Sequence, residues 1–123
     1  MDQLRILLVD DEKEFVTTLA ERLELRGINV TIATNGEEAL RFFDTDLHQV
    51  VVLDLMMPGL SGMEVLERIK AIDTKIPVIL LTGHGATKDG VTGMQLGAFD
   101  YLMKPLDIEE LIKKMQDAIK SHP

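Results

Sequence analysis

The sequence predicts an α/β fold, in which a parallel sheet is covered by helices on both faces. Two hydrophobic periodicities alternate along the 123-residue chain. Short apolar runs are typical of buried strands, and longer stretches carry apolar residues at helical spacing. The alternation repeats five times with short connections. Because parallel strands need a crossover, usually a helix, this succession favours five βα units wound on both sides of one sheet.

The strand signals also predict an order within the sheet. The runs ending in Val9, Leu53 and Leu81 are the most apolar, so we expect those strands at the centre. The second strand alternates apolar and polar residues, as a strand near an edge does. These features agree with the flavodoxin-like order 2-1-3-4-5. The predicted strands cover residues 4–9, 28–32, 50–53, 78–81 and 98–103.

Helices are predicted between the strands, and the fourth of them, residues 87–96, is weak. Gly90 and Gly93 each cost about 1 kcal/mol relative to alanine in a helix interior, so we expect this helix to be the least stable. Val91 and Met94 are its only strong apolar anchors and are expected to face inward. Three other helices begin with pairs typical of capping: Asn35 and Glu38, Ser61 and Glu64, and Asp107 and Glu110.

Composition restricts the classes of function. The net charge of −8 disfavours direct binding to nucleic acid and is compatible with a divalent cation or a basic protein patch. The absence of cysteine excludes disulfides, thiolate zinc sites and cysteine nucleophiles. We find neither a signal peptide nor an apolar run long enough for a membrane helix, so we expect no membrane partner and a cytoplasmic location.

Carboxylates lie at the ends of two predicted central strands. Asp10 and Asp11 follow the first strand, and Asp54 ends the third. In the order 2-1-3-4-5 these strands are neighbours about 4.8 Å apart, so the acids share one crevice and need a cation such as Mg²⁺. Thr82 and Lys104 end the fourth and fifth strands and add a hydroxyl and an ammonium. Such a set suits phosphoryl transfer, which relies on positioning and charge neutralisation.

Four motifs in this order resemble the receiver domain of two-component response regulators. They are Val9–Glu12, Asp54–Gly59, Leu81–Gly83 and Gly97–Pro105. The resemblance extends over nearly the whole chain. It implies that residues 1–123 form a single receiver domain with no effector domain.

The resemblance assigns a phosphoacceptor and a metal site. Asp54 matches the aspartate that is phosphorylated. Asp11 matches the acid that binds Mg²⁺ or Mn²⁺ directly, and Asp10 matches its neighbour, which acts through water. Met56 matches the position whose backbone carbonyl completes the metal site. The implied phosphoryl donor is the phosphohistidine of a sensor histidine kinase or phosphotransfer protein.

The resemblance also assigns a switch. Thr82 matches the hydroxyl that moves to the phosphoryl group, Lys104 the lysine that pairs with it, and Tyr101 the aromatic switch residue. The peptide bond after Lys104 is usually cis in such domains. The fourth helix, fifth strand and fifth helix are the implied output face, with dimerisation through it as one outcome. Met56 and His84 flank the implied path of the water that removes the phosphoryl group.

Three other functions are considered. A flavodoxin-like electron carrier needs a phosphate-binding loop after the first strand, where Asp10, Asp11 and Glu12 would repel a phosphate. A Mg²⁺-dependent phosphatase usually carries its nucleophile on the first strand. A degenerate receiver that only binds partners is disfavoured by the complete acid set with Thr82 and Lys104. His48, which precedes the third strand, is expected at the surface.

Overall fold

The computed structural model describes residues 3–83 and 87–121, which include a five-stranded parallel sheet in the order β2-β1-β3-β4-β5. The predicted fold class and strand order are therefore confirmed. The strands are β1 (Arg5–Val9), β2 (Asn29–Ala33), β3 (Val50–Asp54), β4 (Val78–Thr82) and β5 (Asp100–Met103). The helices are α1 (Lys13–Glu24), α2 (Gly36–Phe42), α3 (Gly62–Ile72), α4 (Thr87–Gln95) and α5 (Ile108–Ser121).

The strand register brings the carboxyl ends of the central strands to one edge of the sheet. Val9 pairs with Leu53, and Asp54 pairs with Leu81. Every residue of β3 and β4 is buried, whereas β2 and β5 are only partly buried. This difference follows from their central and edge positions and confirms the prediction that the second strand lies at an edge.

Successive strand residues point to opposite faces, and each face packs against its own helices. Ile6 and Leu8 lie in a core cluster with residues of α1 and α5. Leu7 and Val9 lie in a second cluster with residues of α2 and α3. The continuous apolar strands therefore have both faces covered, as expected for a parallel sheet.

Side-chain caps begin the helices where the sequence predicts them. The Asn35 side chain accepts a hydrogen bond from the Glu38 backbone N–H at 2.8 Å, and the Ser61 hydroxyl accepts one from Glu64 at 3.3 Å. In a capping box the Glu38 carboxylate would accept the backbone N–H of Asn35. Here it accepts hydrogen bonds from the backbone N–H and the hydroxyl of Thr34, the residue before Asn35.

Helix α4 turns a different face to the sheet from the one predicted. Val91 and Met94 are 49% and 40% exposed, whereas Gly90 and Gly93 are buried. An added Cβ at Gly93 would lie 2.1 Å from Leu80 Cδ1, which shows that the helix backbone lies directly on the sheet. The prediction that Val91 and Met94 face inward is therefore wrong, because the glycines permit an approach that larger residues would prevent.

His48 is only 3% exposed, so the expectation that it lies at the surface is also wrong. Its Nδ1 accepts a hydrogen bond from the Asp44 backbone N–H at 3.1 Å, and its Nε2 lies 3.1 Å from Thr31 Oγ1. The ring also stacks on Phe43. Burial lowers the pKa of His48, despite the opposing effect of the Asp44 charge. These contacts favour the neutral ring with its proton on Nε2, since Nδ1 is an acceptor.

Candidate functional site

The carboxylates of Asp10, Glu12 and Asp54 converge at the carboxyl edge of the central strands. One oxygen from each lies within 4.8 Å of the others. Asp10 is fully buried and Asp54 is 3% exposed, whereas Glu12 is exposed. The adjacency of β1 and β3 produces this cluster, because Asp10 directly follows β1 and Asp54 ends β3.

Lys104 places its ammonium among these carboxylates. Its Nζ lies 2.8 Å from Asp10 Oδ2, 2.9 Å from Glu12 Oε1 and 3.5 Å from Asp54 Oδ2. The ammonium also lies 4.4 Å from the centre of the Phe15 ring, a cation–π distance. Lys104 reaches this position from the end of β5, and the following Lys104–Pro105 peptide bond is cis.

Local backbone hydrogen bonds fix both buried carboxylates. Asp10 Oδ1 accepts the Glu12 backbone N–H at 2.9 Å, and Asp54 Oδ1 accepts the Met56 backbone N–H at 3.1 Å. Both are bonds from a carboxylate to the backbone two residues ahead, the pattern of an Asx turn. In each residue the other oxygen, Oδ2, is directed toward Lys104.

The site perturbs the acidity of Asp54. Burial raises the pKa of this carboxyl to about 6, and the negative charge of Asp10 acts in the same direction. The Met56 N–H and the Lys104 charge oppose this rise but do not cancel it. Burial lowers the pKa of Lys104, but hydrogen bonds to Asp10 and Glu12 outweigh burial and leave that pKa raised. Asp54 is thus mostly ionised near neutral pH, beside a firmly charged lysine.

Thr82 ends β4 beside the site, and Tyr101 lies on the adjacent strand β5. Thr82 is fully buried, and its hydroxyl donates a hydrogen bond of 3.4 Å to the Leu102 backbone carbonyl. Tyr101, the neighbouring residue on β5, is half-buried, and an added Cβ at Gly90 would lie 2.8 Å from its ring. The hydroxyl therefore bonds across to β5, and the Tyr101 ring occupies space that a side chain at position 90 would need.

The remaining predicted residues lie in different environments. Asp11 is half-buried and is not part of the converging group. The Met56 backbone lies against Asp54, and its side chain is 63% exposed. His84 lies outside the described residues.

Two residues at the site had no role in the sequence-based assignment. Glu12 and Phe15 both contact the Lys104 ammonium. The position of Glu12, two residues after Asp10 in the acidic motif, was an available signal. No signal in the sequence pointed to Phe15, because an aromatic residue at helical spacing is also what core packing predicts.

The donor set fits a small hard cation. Carboxylate oxygens are the ligands that Mg²⁺ prefers, at about 2.0–2.1 Å in an octahedral shell. Donors on opposite sides of such a shell are about 4.2 Å apart. One oxygen each of Asp10, Glu12 and Asp54 lies within 4.8 Å of the others, so small side-chain adjustments would bring these donors into one such shell.

The described part of the chain contains no helix that is both long and apolar enough to cross a bilayer. The longest helix, α5, has 14 residues and carries charged side chains along its length.

Comparison with known proteins identifies the relatives of this chain. The family model described as the response regulator receiver domain matches residues 6–116. The uncharacterized transcriptional regulatory protein YkoG of Bacillus subtilis is 43% identical over 99% of this chain and 54% of its own length. The transcriptional regulatory protein CpxR of Escherichia coli is 40% identical over 94% of this chain and 49% of its own length. The chain thus spans about half the length of these curated relatives.

A solved structure agrees with the family match. The crystal structure of a response regulator receiver domain protein from Clostridium thermocellum superposes with a TM-score of 0.92 at 38% identity. The match covers 96% of this chain and 95% of that one. This agreement argues against the electron-carrier and phosphatase alternatives. The chain belongs to the response regulator receiver domain family.

Proposed function

We propose that this protein accepts a phosphoryl group on Asp54 from the phosphohistidine of a sensor histidine kinase or phosphotransfer protein. The observation that carries this proposal is the position of the Asp54 carboxylate. It is buried at the carboxyl edge of the sheet, with the Lys104 ammonium 3.5 Å from Oδ2 and a second buried carboxylate beside it. A carboxylate so placed can act as a nucleophile.

In the proposed step an Asp54 carboxylate oxygen attacks phosphorus in line with the phosphorus–nitrogen bond of the donor. That bond breaks, its electron pair stays on the donor imidazole, and an acyl phosphate forms on Asp54. Lys104 neutralises charge on the transferring oxygens. Asp54 must be ionised to attack, and a pKa of about 6 leaves most of it ionised near neutral pH.

The reaction is proposed to depend on Mg²⁺ or Mn²⁺. Asp10, Asp11 and Asp54 would hold the ion with the Met56 backbone carbonyl, and Glu12 lies within reach of the same cluster. When bound, the ion supplies positive charge that offsets the mutual repulsion of the carboxylates and of the incoming phosphoryl group.

Phosphorylation is proposed to switch the output face, which consists of α4, β5 and α5. The Thr82 hydroxyl would leave the Leu102 carbonyl and turn to the phosphoryl group, and Tyr101 would follow it inward. Val91, Met94 and Met103 are exposed apolar residues on this face. They support a homodimer through it as one consequence. Sizing with and without beryllofluoride, a phosphoryl mimic, tests dimerisation.

The phosphoryl group is proposed to leave by hydrolysis. Met56 and His84 would flank the path of the attacking water and set its rate. The lifetime of phosphorylated Asp54 in His84→Ala tests this role, and a change of less than about twofold would contradict it.

The output is proposed to depend on protein partners. The net charge of −8 argues against direct binding of nucleic acid by these residues. The relatives are transcriptional regulatory proteins twice as long, so any action on DNA would need a segment outside this domain. A cytoplasmic location beside the kinase is part of the same proposal.

The central test is labelling by acetyl phosphate in the presence of Mg²⁺, followed on a gel that retards phosphoproteins. Wild-type protein should be labelled, and Asp54→Asn should not. Asp46→Asn is the matched control, because it makes the same chemical change at an exposed position. Labelling of Asp54→Asn at the wild-type rate would refute the assignment. Absence of wild-type labelling by acetyl phosphate and by a kinase would favour a receiver that only binds partners.

A further inference from the structure

We infer that Glu12 is a positioning residue that restrains Lys104 in the unphosphorylated protein and slows phosphorylation of Asp54. The inference rests on the proposed function, because it concerns the lysine that would meet the phosphoryl group. It assigns a role to a side chain that neither accepts the phosphoryl group nor belongs to the three aspartates of the motif.

The contacts of Lys104 show how the restraint works. A lysine ammonium has three N–H donors. Asp10 and Glu12 engage Nζ at 2.8 and 2.9 Å, which are hydrogen-bond distances. Asp54 Oδ2 lies at 3.5 Å, beyond the usual range of about 2.7–3.2 Å. The ammonium is thus bonded to both neighbours of the nucleophile and not to the nucleophile itself.

The two bonds differ in environment. Asp10 is fully buried, so its bond to Lys104 is shielded from water and salt. The Glu12 side chain is 63% exposed and can leave Lys104 for solvent at little cost. Glu12 is therefore the partner that Lys104 gives up when a phosphoryl oxygen approaches Asp54.

Lys104 should stay in the crevice when its hydrogen bond to Glu12 is broken. Asp10 still binds Nζ, and the Phe15 ring lies 4.4 Å from the ammonium. Removing the Glu12 contact should therefore free one N–H donor without displacing the lysine. Exposed ion pairs contribute about 0.2–1 kcal/mol, so the expected gain in phosphorylation rate is about 1.4- to 5-fold.

The experiment compares labelling rates with acetyl phosphate and Mg²⁺ in wild type, Glu12→Gln, Glu12→Asp and Glu14→Gln. Glu12→Gln removes the charge at nearly constant shape. Glu12→Asp keeps the charge but shortens the side chain, so it loses the contact. Glu14→Gln is the control. Glu14 is exposed, lies two residues after Glu12, and makes no contact with Lys104 among the described interactions.

If Glu12 restrains Lys104, both Glu12 variants should be phosphorylated faster than wild type, and Glu14→Gln should not. A Glu12→Asp rate equal to wild type would show that the negative charge itself repels the donor, and it would overturn the restraint. Equal gains in Glu12→Gln and Glu14→Gln, or no gain in either Glu12 variant, would also overturn it.

A second measurement separates this inference from the proposed function. Nitrogen NMR of the lysine ammonium groups reports how fast the Lys104 protons exchange with water, whether or not Asp54 is ever phosphorylated. Exchange should be faster in Glu12→Gln than in Glu14→Gln. Unchanged exchange would overturn the restraint, and a protein that is never labelled yet shows faster exchange would overturn the proposed function alone.

Discussion

Replacing Asp54 by asparagine should stabilise the folded protein at neutral pH. The carboxylate is 3% exposed, its pKa is raised to about 6, and burial is the leading cause. Asparagine has nearly the same shape and can keep the hydrogen bond from the Met56 N–H, which lies 3.1 Å from Asp54 Oδ1. It carries no charge, so the cost of burying an ionised group disappears.

The size of the gain follows from linkage. A carboxyl whose pKa rises from 3.8 to about 6 on folding holds more protons in the folded state than in the unfolded state. Its favourable contribution is complete below pH 3.8 and is lost as the pH rises through about 6. A shift of about two units corresponds to at most about 3 kcal/mol, and residual solvation of the crevice reduces this to about 1–3 kcal/mol.

The assay is urea unfolding of wild type and Asp54→Asn with a chelator present, from about pH 4 to about pH 7. The difference in the free energy of unfolding should be small at the acidic end, grow with pH and level off above about pH 7. Asp46→Asn, which makes the same chemical change at an exposed position, is the matched control. A difference for Asp54→Asn that is constant with pH, or that shrinks as the pH rises, would refute the reasoning about burial.

Three further changes test the packing and charge of the fold. Lys104→Met leaves the buried Asp10 carboxylate without its cation and should lower the free energy of unfolding by about 3 kcal/mol in denaturant titrations. Gly93→Ala puts a Cβ 2.1 Å from Leu80 Cδ1 and should lower the melting temperature. Overpacking costs about 1–3 kcal/mol, and the helix propensity of alanine returns at most about 1 kcal/mol. The lowered pKa of His48 means that the unfolded chain binds its proton first, so the His48 contribution to stability should fall as the pH drops below about 6.5. The free energy of unfolding of wild type minus that of His48→Gln should therefore decrease as the pH falls through that range.

Each change has a control or a contrary result. Lys114→Met breaks a more exposed pair with Asp100 and should cost no more than about 1 kcal/mol, so equal losses in the two lysine variants would argue against a special role for buried Asp10. Gly83→Ala adds a Cβ that has no atom of the described residues within 4 Å, and an equal loss there would contradict the packing argument for Gly93. A pH profile for His48→Gln that parallels wild type would show that other groups set the pH dependence.

The face of α4 that packs on the sheet could not be predicted from sequence patterns. Val91 and Met94 have the spacing of a core-facing stripe, so periodicity predicts that they face inward. Periodicity assumes that the apolar side chains separate helix from sheet. Here Gly93 lets the backbone itself approach Leu80, and the apolar side chains are left on the output face. The glycines that weaken the helix are thus the residues that pack it.

The prediction that His48 lies at the surface was wrong for a related reason. A single histidine before a strand gives no signal about the elements that will surround it. Its burial depends on Thr31, at the middle of a different strand, and on the backbone of Asp44. Both contacts exist only once the sheet and its loops have assembled.

The fold class, the strand order and the strand ends that carry Asp10, Asp54, Thr82 and Lys104 could all be predicted without the structure. Those features depend on local hydrophobic periodicity and on chain connectivity, which are written in the order of the residues. Which side chains contact one another depends on tertiary packing. Lys104 bonds to Glu12, 92 residues away in the chain, and not to Asp54, because side-chain reach and burial across three strand ends select its partners. The restraint on the lysine, and the face that α4 presents to other proteins, follow from that packing.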